Sequence, residues 1–311
     1  MTRTITVGLD GSPESLAAAE WAAHEAFLRD LPLRLVNAAD WQPAVYVSTA
    51  LGAPLPPGDL RQDWSARLLD EARARLARRH PELRVESQEL TGQPVTALLR
   101  AAEESELLVL GSRGLGRIAG FLIGSFSQAV LARSERPVVV VRPGVHGEDP
   151  AERPAERPGE RSTGDGAGAA AAREIVLGLD LEKPGDEVIA YAFAAAARSG
   201  APLRVVHGWT VPPYLYGGDL MPDVRDDLAA RAPQELSAVL RPWREKFPDV
   251  EVRAQAVIGG AGSHLIEASG GAALVVVGRR IRRSAVGTHI GPVVQALLHH
   301  AAAPVAVVPH E

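Results

Sequence analysis

Residues Gly111 to Ser125 carry a spacing suited to holding an anion. Gly111 ends an apolar run, Gly114 follows three residues on, and after nine more residues Gly124-Ser125 opens a helix-like stretch. Gly111 and Gly114 are free to take positive φ and to bring backbone N–H groups close to a ligand. Gly124-Ser125 puts unpaired N–H groups and a hydroxyl at a helix start, where the helix dipole favours negative charge. Arg113 and Arg117 add positive charge beside them. Together these residues make a two-sided oxyanion site of phosphate size. The loop is neither a Walker loop, since no Gly-Lys-Ser/Thr follows a four-residue gap, nor a dinucleotide G-x-G-x-x-G. The competing reading is a tight turn followed by a Ser helix cap. Asp10, which ends the first strand, has a similar alternative as an Asx turn capping the helix after Ser12.

The elements that must position this loop alternate along the chain. A strand over Thr4–Leu9 leads to a helix near Pro13–Leu28 and a strand Leu33–Ala38. A Pro/Gly-rich loop, Asp40–Gly58, precedes an amphipathic helix near Leu60–Arg79. Strand Leu83–Leu90, helix Pro94–Glu103 and strand Leu107–Leu110 lead to the glycine loop. Helix Ser125–Arg133 and strand Pro137–Arg142 follow it. Strands separated by helices imply right-handed crossovers and a parallel sheet covered on both faces. Apolar runs such as Leu107–Leu110 fit central strands. Ligands of such sheets sit outside the carboxyl ends of the strands, where strand order reverses, and Asp10, Ala38 and Gly111 lie at such ends.

The 311-residue chain then repeats itself. Ile5-Thr-Val-Gly-Leu-Asp matches Ile175-Val-Leu-Gly-Leu-Asp, and Pro32-Leu-Arg-Leu-Val matches Pro202-Leu-Arg-Val-Val, both at an offset of 170. The glycine loops, at Gly111 and Gly278, are offset by 167. A repeat of this length, roughly 140 residues, is a whole domain. The expected fold is α/β, two tandem doubly wound, Rossmann-like domains, each with a five-stranded parallel-type sheet and helices on both faces. The domains are read as residues 1–143 and 173–311. Residues 144–172, rich in Ala-Glu-Arg-Pro and then Gly/Ala, are read as a flexible linker.

Composition narrows the functions. Net charge is −5 and apolar content 46%, which argues against nucleic acid as main partner. With no cysteine, disulfides, thiolate metal sites and cysteine nucleophiles are excluded. No signal-peptide stretch of roughly 7–15 apolar residues and no membrane span of roughly 18 is present, so a soluble, cytoplasmic protein is expected. His299-His300 lack a carboxylate or further His at metal spacing, so no metal site is expected. His207 is read as a pocket-lining or packed residue.

The whole chain apart from the linker resembles a tandem universal stress protein. The family pattern G-x2-G-x9-G-(S/T) is met by Gly111, Gly114, Gly124 and Ser125. Val7-Gly8-Leu9-Asp10-Gly11-Ser12 meets its strand-ending Asp context, and Pro137–Val141 its final strand. The resemblance implies ATP, with Mg2+ as its companion, bound in the first domain. By carry-over Asp10 would hydrogen-bond the adenosine portion, and the backbone at Gly8 and Ala38 would line the base pocket. Gly111, Ser112, Arg113, Gly114, Leu115, Gly116 and Arg117 would wrap ribose and phosphates. Ser125 and the Phe126 N–H, opened by Gly124, would hold the terminal phosphates. The family often has Val where Ala38 stands, which implies looser packing of the base.

The second copy departs from the pattern, with Ile281 at the Gly114 position and Pro292 at the Ser125 position. A β-branched residue resists positive φ, and Pro292 suits the first helical position but removes an N–H and a hydroxyl. Altered or lost ATP binding is expected there. Arg279, Arg280, Arg282 and Arg283 could instead supply guanidinium contacts to phosphates, form a solvated basic face, or pair with acidic helices. Asp180 is retained, which leaves another anionic or adenosine ligand open.

Three functions follow. One is a regulatory ATP-binding stress-response protein without primary catalysis and with at most weak ATP hydrolysis. Another is an ATP-hydrolysing or pyrophosphatase-type enzyme, and the third a ligand-free dimerising scaffold. No acid/base pair or carboxylate cluster lies near the glycine loop in sequence. Family resemblance also implies pairing through the last strands, Pro137–Val141 and Pro304–Val308, within one chain or between two.

Overall fold

The computed structural model describes residues 3–38, 58–112, 124–143, 173–209, 222–281 and 290–311. In the first half the order is β1 (Ile5–Gly8), α1 (Pro13–Arg29), β2 (Leu33–Ala38), α2 (Gly58–Arg79), β3 (Val85–Leu90), α3 (Pro94–Glu103), β4 (Leu107–Gly111), α4 (Ser125–Arg133) and β5 (Val138–Val141). The second half runs β6 (Glu174–Gly178), α5 (Asp186–Ser199), β7 (Leu203–Trp209), α6 (Pro222–Lys246), β8 (Val252–Ile258), α7 (Ala261–Ala268), β9 (Ala272–Arg280), α8 (Pro292–His300) and β10 (Val305–His310).

The strands form one ten-stranded sheet in the order β3-β2-β1-β4-β5-β10-β9-β6-β7-β8. Within each half every pairing is parallel, and the order reads the same outward from the middle. The halves join where β5 meets β10 antiparallel, with Val138 opposite Val307 and Val140 opposite Val305. Each half is thus the expected doubly wound domain. Valine runs suit this middle position because strands covered on both faces are apolar at every residue. The final strands begin one residue later than the sequence suggests, since Pro137 and Pro304 have no N–H for the ladder. Their carbonyls still join it, accepting from Leu108 N at 3.1 Å and Val275 N at 2.9 Å. Strand β3 likewise starts at Val85 rather than Leu83.

Alternation sorts the core into two layers. On one face Ile5, Val7, Val139, Val141, Ala306 and Val308 pack under α1, α2, α5 and α6. On the other, Leu108, Leu110, Val138, Val140, Val305 and Val307 pack under α3, α4, α7 and α8. Helix α1 lies close to the sheet because its buried side is mainly alanine: Ala18, Ala19, Ala22, Ala23 and Ala26. Ser12 caps it by accepting from Ser15 N at 3.1 Å, with Pro13 behind, and Asp30 ends it in the left-handed conformation. Where α1 meets α5, Glu25 accepts from Arg29 Nε at 2.6 Å and from Arg198 Nη2 at 3.1 Å. Arg29 also reaches the Tyr191 hydroxyl at 3.3 Å and lies over its ring at 5.5 Å.

Candidate functional site

Strand order in the first half reverses between β1 and β4, so their carboxyl ends, Gly8 and Gly111, sit side by side. Both glycines are set by crowding. A Cβ on Gly8 would lie 2.8 Å from Leu110 Cδ2, and one on Gly111 would lie 2.7 Å from the carbonyl carbon of Glu14. Gly111 does not use the positive φ open to a glycine: it is absent from the left-handed residues, which include Gly11 at φ 78°. Gly111 is glycine because the first turn of α1 rests on the end of β4. Gly124 is also outside the left-handed region, at φ −54°.

The two ends of the glycine loop are held together. Gly124 N donates to Ser112 O at 3.4 Å, and Ser127 Oγ donates to Gly111 O at 3.3 Å. Ser112 N donates to Val141 O at 2.8 Å, so this amide extends the β4–β5 ladder and is spent there. The intrahelical ladder of α4 begins with Gln128 N to Gly124 O at 3.1 Å. The N–H groups of Ser125, Phe126 and Ser127 precede that ladder, as at any helix start. Ser125 is exposed and Phe126 half-buried. Arg113, Gly114, Leu115, Gly116 and Arg117 lie outside the described residues.

Asp10 does form the Asx turn: its Oδ1 accepts from Ser12 N at 3.0 Å and from Ser12 Oγ at 2.5 Å. The turn holds the carboxylate half-buried, two residues past the end of β1. Ala38 ends β2 beside it, also half-buried. Its neighbour Asn37, 4% exposed, pins the exit of β1 by donating from Nδ2 to Leu9 O at 2.6 Å. Ser65 on α2 donates to Asn37 Oδ1 at 2.9 Å. Sequence reasoning passed over Asn37, although its counterpart at the 170-residue offset is His207.

His207 takes the same part in the second half, its Nδ1 lying 2.9 Å from Leu179 O. A carbonyl can only accept, so Nδ1 carries the proton and Nε2 is left toward the cleft. Here the cleft is a cavity of about 370 Å³, with Asp180, Lys183, His207, Arg280 and His310 at its polar side and Val188, Leu265 and Val277 among its apolar lining. Helix α5 starts at Asp186, a turn later than α1 would place it, because Pro184-Gly185 stand where α1 has Glu14-Ser15. The ring of His310 fills the gap, with Nε2 2.7 Å from where a Gly278 Cβ would be.

The arginines of the second loop separate. Arg280 lines the cavity and pairs loosely with Asp180 at 3.8 Å. Arg279 points to the opposite face and is 6% exposed, so it cannot serve as a phosphate ligand in this cleft. Arg282 and Arg283 lie outside the described residues. Among the described residues no three His, Cys, Asp or Glu side chains gather as a metal site, and no helix is long and apolar enough to cross a membrane.

Residues 1–142 and 172–309 each match the universal stress protein family. The chain belongs to that family. It is a tandem member, and two relatives align with it across both domains. A universal stress protein of Mycobacterium tuberculosis is 31% identical over 315 residues, covering 97% of this chain and 96% of the relative. Another from the same organism is 32% identical over 311 residues, covering 97% and 95%. The crystal structure of a universal stress protein from Archaeoglobus fulgidus superposes with a TM-score of 0.66 at 16% identity, covering 99% of this chain and 98% of that one. That likeness extends the fold across both domains.

Proposed function

We propose that this universal stress protein is a cytoplasmic regulatory protein that holds ATP, with Mg2+, in its first domain. The observation that carries the reading is the meeting of the α4 start with the ends of β1 and β4. Gly124 and Ser127 are tied to Ser112 and Gly111 there, leaving the Ser125 and Phe126 amides ahead of the helical ladder. The residues fit a nucleotide. Half-buried Asp10 and Ala38 border a base and ribose position, and the exposed Ser125 offers hydroxyl and amide donors at the positive end of a helix. Gly111 through Arg117 would enclose the phosphates between these two sides.

Regulation rather than catalysis is supported by what surrounds the site. Asp10 is committed to a turn with Ser12, and Ser112 N to the sheet. The Asp10 carboxylate does accept from the Ser12 hydroxyl, but that oxygen also caps α1 by accepting from Ser15 N, which supports a brace for the helix start rather than a nucleophile. In the second domain Pro292 removes the N–H and hydroxyl that Ser125 provides, and the reading assigns that domain altered or lost ATP binding. The test is extraction of small molecules from denatured, freshly purified protein. ATP at one equivalent per chain is expected. Absence of ATP together with no thermal shift on adding ATP and Mg2+ would remove the proposal, and release of ADP or pyrophosphate scaling with protein would favour an enzyme.

A further inference from the structure

Arg279 crosses the seam between the domains. It sits near the end of β9, where alternation sends Arg280 toward the second-domain cavity and Arg279 to the other face of the sheet. There its Nη1 donates to Ala132 O at 3.1 Å and its Nη2 donates to Ser134 O. These carbonyls belong to the last turn and cap of α4, in the first domain. A reverse contact runs from Arg142 Nη2 to Leu298 O, at 2.6 Å, near the end of α8.

We infer that Arg279 of the second domain is a positioning residue for the phosphate side of the first-domain site, acting through α4. The inference rests on the nucleotide reading given above. Helix α4 has nine residues, about 13 Å at the usual rise, so it moves as one rod. Among the described residues its start is fastened lightly. The capping residue is glycine with no side-chain cap, and the bonds to the sheet are long, at 3.4 and 3.3 Å. Its end is held by a charged fork on two carbonyls, a stronger class of hydrogen bond. The two charges also act on one dipole. The guanidinium compensates the negative end of α4, and a phosphate would compensate the positive end.

A buried arginine is a costly way to fill space, since removing a charge from water is repaid only by well-formed partners. Burial pulls the Arg279 guanidinium below its ordinary value, partly offset by nearby Glu135. An apolar residue of the same length would pack as well but would leave the end of α4 free to shift. That difference makes the role testable.

Binding of ATP with Mg2+, and separately of adenosine, is measured by calorimetry on the full chain. The variants are Arg279→Met, Arg279→Lys and, as an exposed charge-loss control, Arg253→Met. Arg279→Met is expected to weaken ATP about tenfold, some 1.4 kcal/mol, while adenosine affinity stays as in the wild type because α4 reaches only the phosphates. Arg279→Lys, which keeps the charge without the fork, should fall between. Hydrogen exchange at residues 124–133 should quicken in Arg279→Met without ligand. Equal ATP affinity in Arg279→Met and wild type, or an equal loss of ATP and adenosine, would overturn the inference. If the wild type binds no ATP, the functional reading fails by itself. The exchange arm then decides, and unchanged exchange at 124–133 would overturn the positioning role.

Discussion

Tyr191 has its hydroxyl in the contact between α1 and α5, beside Arg29 and facing Glu25 and Arg198. Burial pushes this phenol up to about 12, more than the neighbouring Arg29 pulls it down. A raised value means that the folded protein holds the neutral form after the unfolded chain has begun to ionise. The stability from this preference is complete below the ordinary tyrosine value of about 10 and is lost as pH rises toward 12. Wild type should therefore lose urea resistance between about pH 10 and 12 more steeply than Tyr191→Phe. Parallel loss in both proteins would contradict the assignment. At this same scale the sequence was a partial guide to the site. Gly111, Gly124 and Asp10 were legible as residues that need their positions, and each holds a strand end or a helix start. The reason for Gly111 was not legible, because its constraint is the backbone of Glu14, brought over β4 by the fold. Arg279 was grouped with Arg280 for the same reason: a run of basic residues does not say which sheet face each takes until the strand extends through them.

Elements carry the joint between the domains. Glu25 on α1 balances Arg29 on its own helix and Arg198 on α5, and the Glu25 and Arg29 side chains are only 11% and 10% exposed. Glu25→Ala leaves two cationic groups in a poorly solvated interface, with an expected cost of about 3 kcal/mol. Replacing Glu25, Arg29 and Arg198 together by Leu, Met and Met should restore most of it. Denaturant midpoints check both variants, and a triple variant no better than Glu25→Ala would contradict this view of the network. Most elements were readable from alternation, prolines and caps. The late start of α5 was visible in Lys183-Pro184-Gly185, but its filling by His310 was not, since that contact joins residues far apart in the chain. The cavity that results is legible only in part: Asp180 leaves another ligand open and His207 reads as pocket-lining or packed, whereas nothing in the sequence brings Lys183 and His310 to it.

At the scale of the whole molecule, duplication places two sheets so that β5 and β10 cover each other's edges. The repeats in the sequence made the tandem architecture plain. Which edge partners which is not encoded in periodicity, so pairing within one chain or between chains stayed open until the strands were placed. A seam of this kind needs no covalent link. When a protease site inserted between Gly144 and Ala172 is cut, the two fragments should still elute together on gel filtration. Separate elution would show that the linker, not the seam and the α1–α5 contact, holds the domains.

Nucleotide binding in the first domain depends on donors at the start of α4 meeting phosphate. Calorimetric titration with ATP and Mg2+ of wild type and Ser125→Pro, which copies the second domain's residue into the first, tests this most directly. The expected result is one site per chain in the wild type and no measurable binding in the variant, with the two unfolding at similar temperature. Equal affinity in both proteins would contradict it.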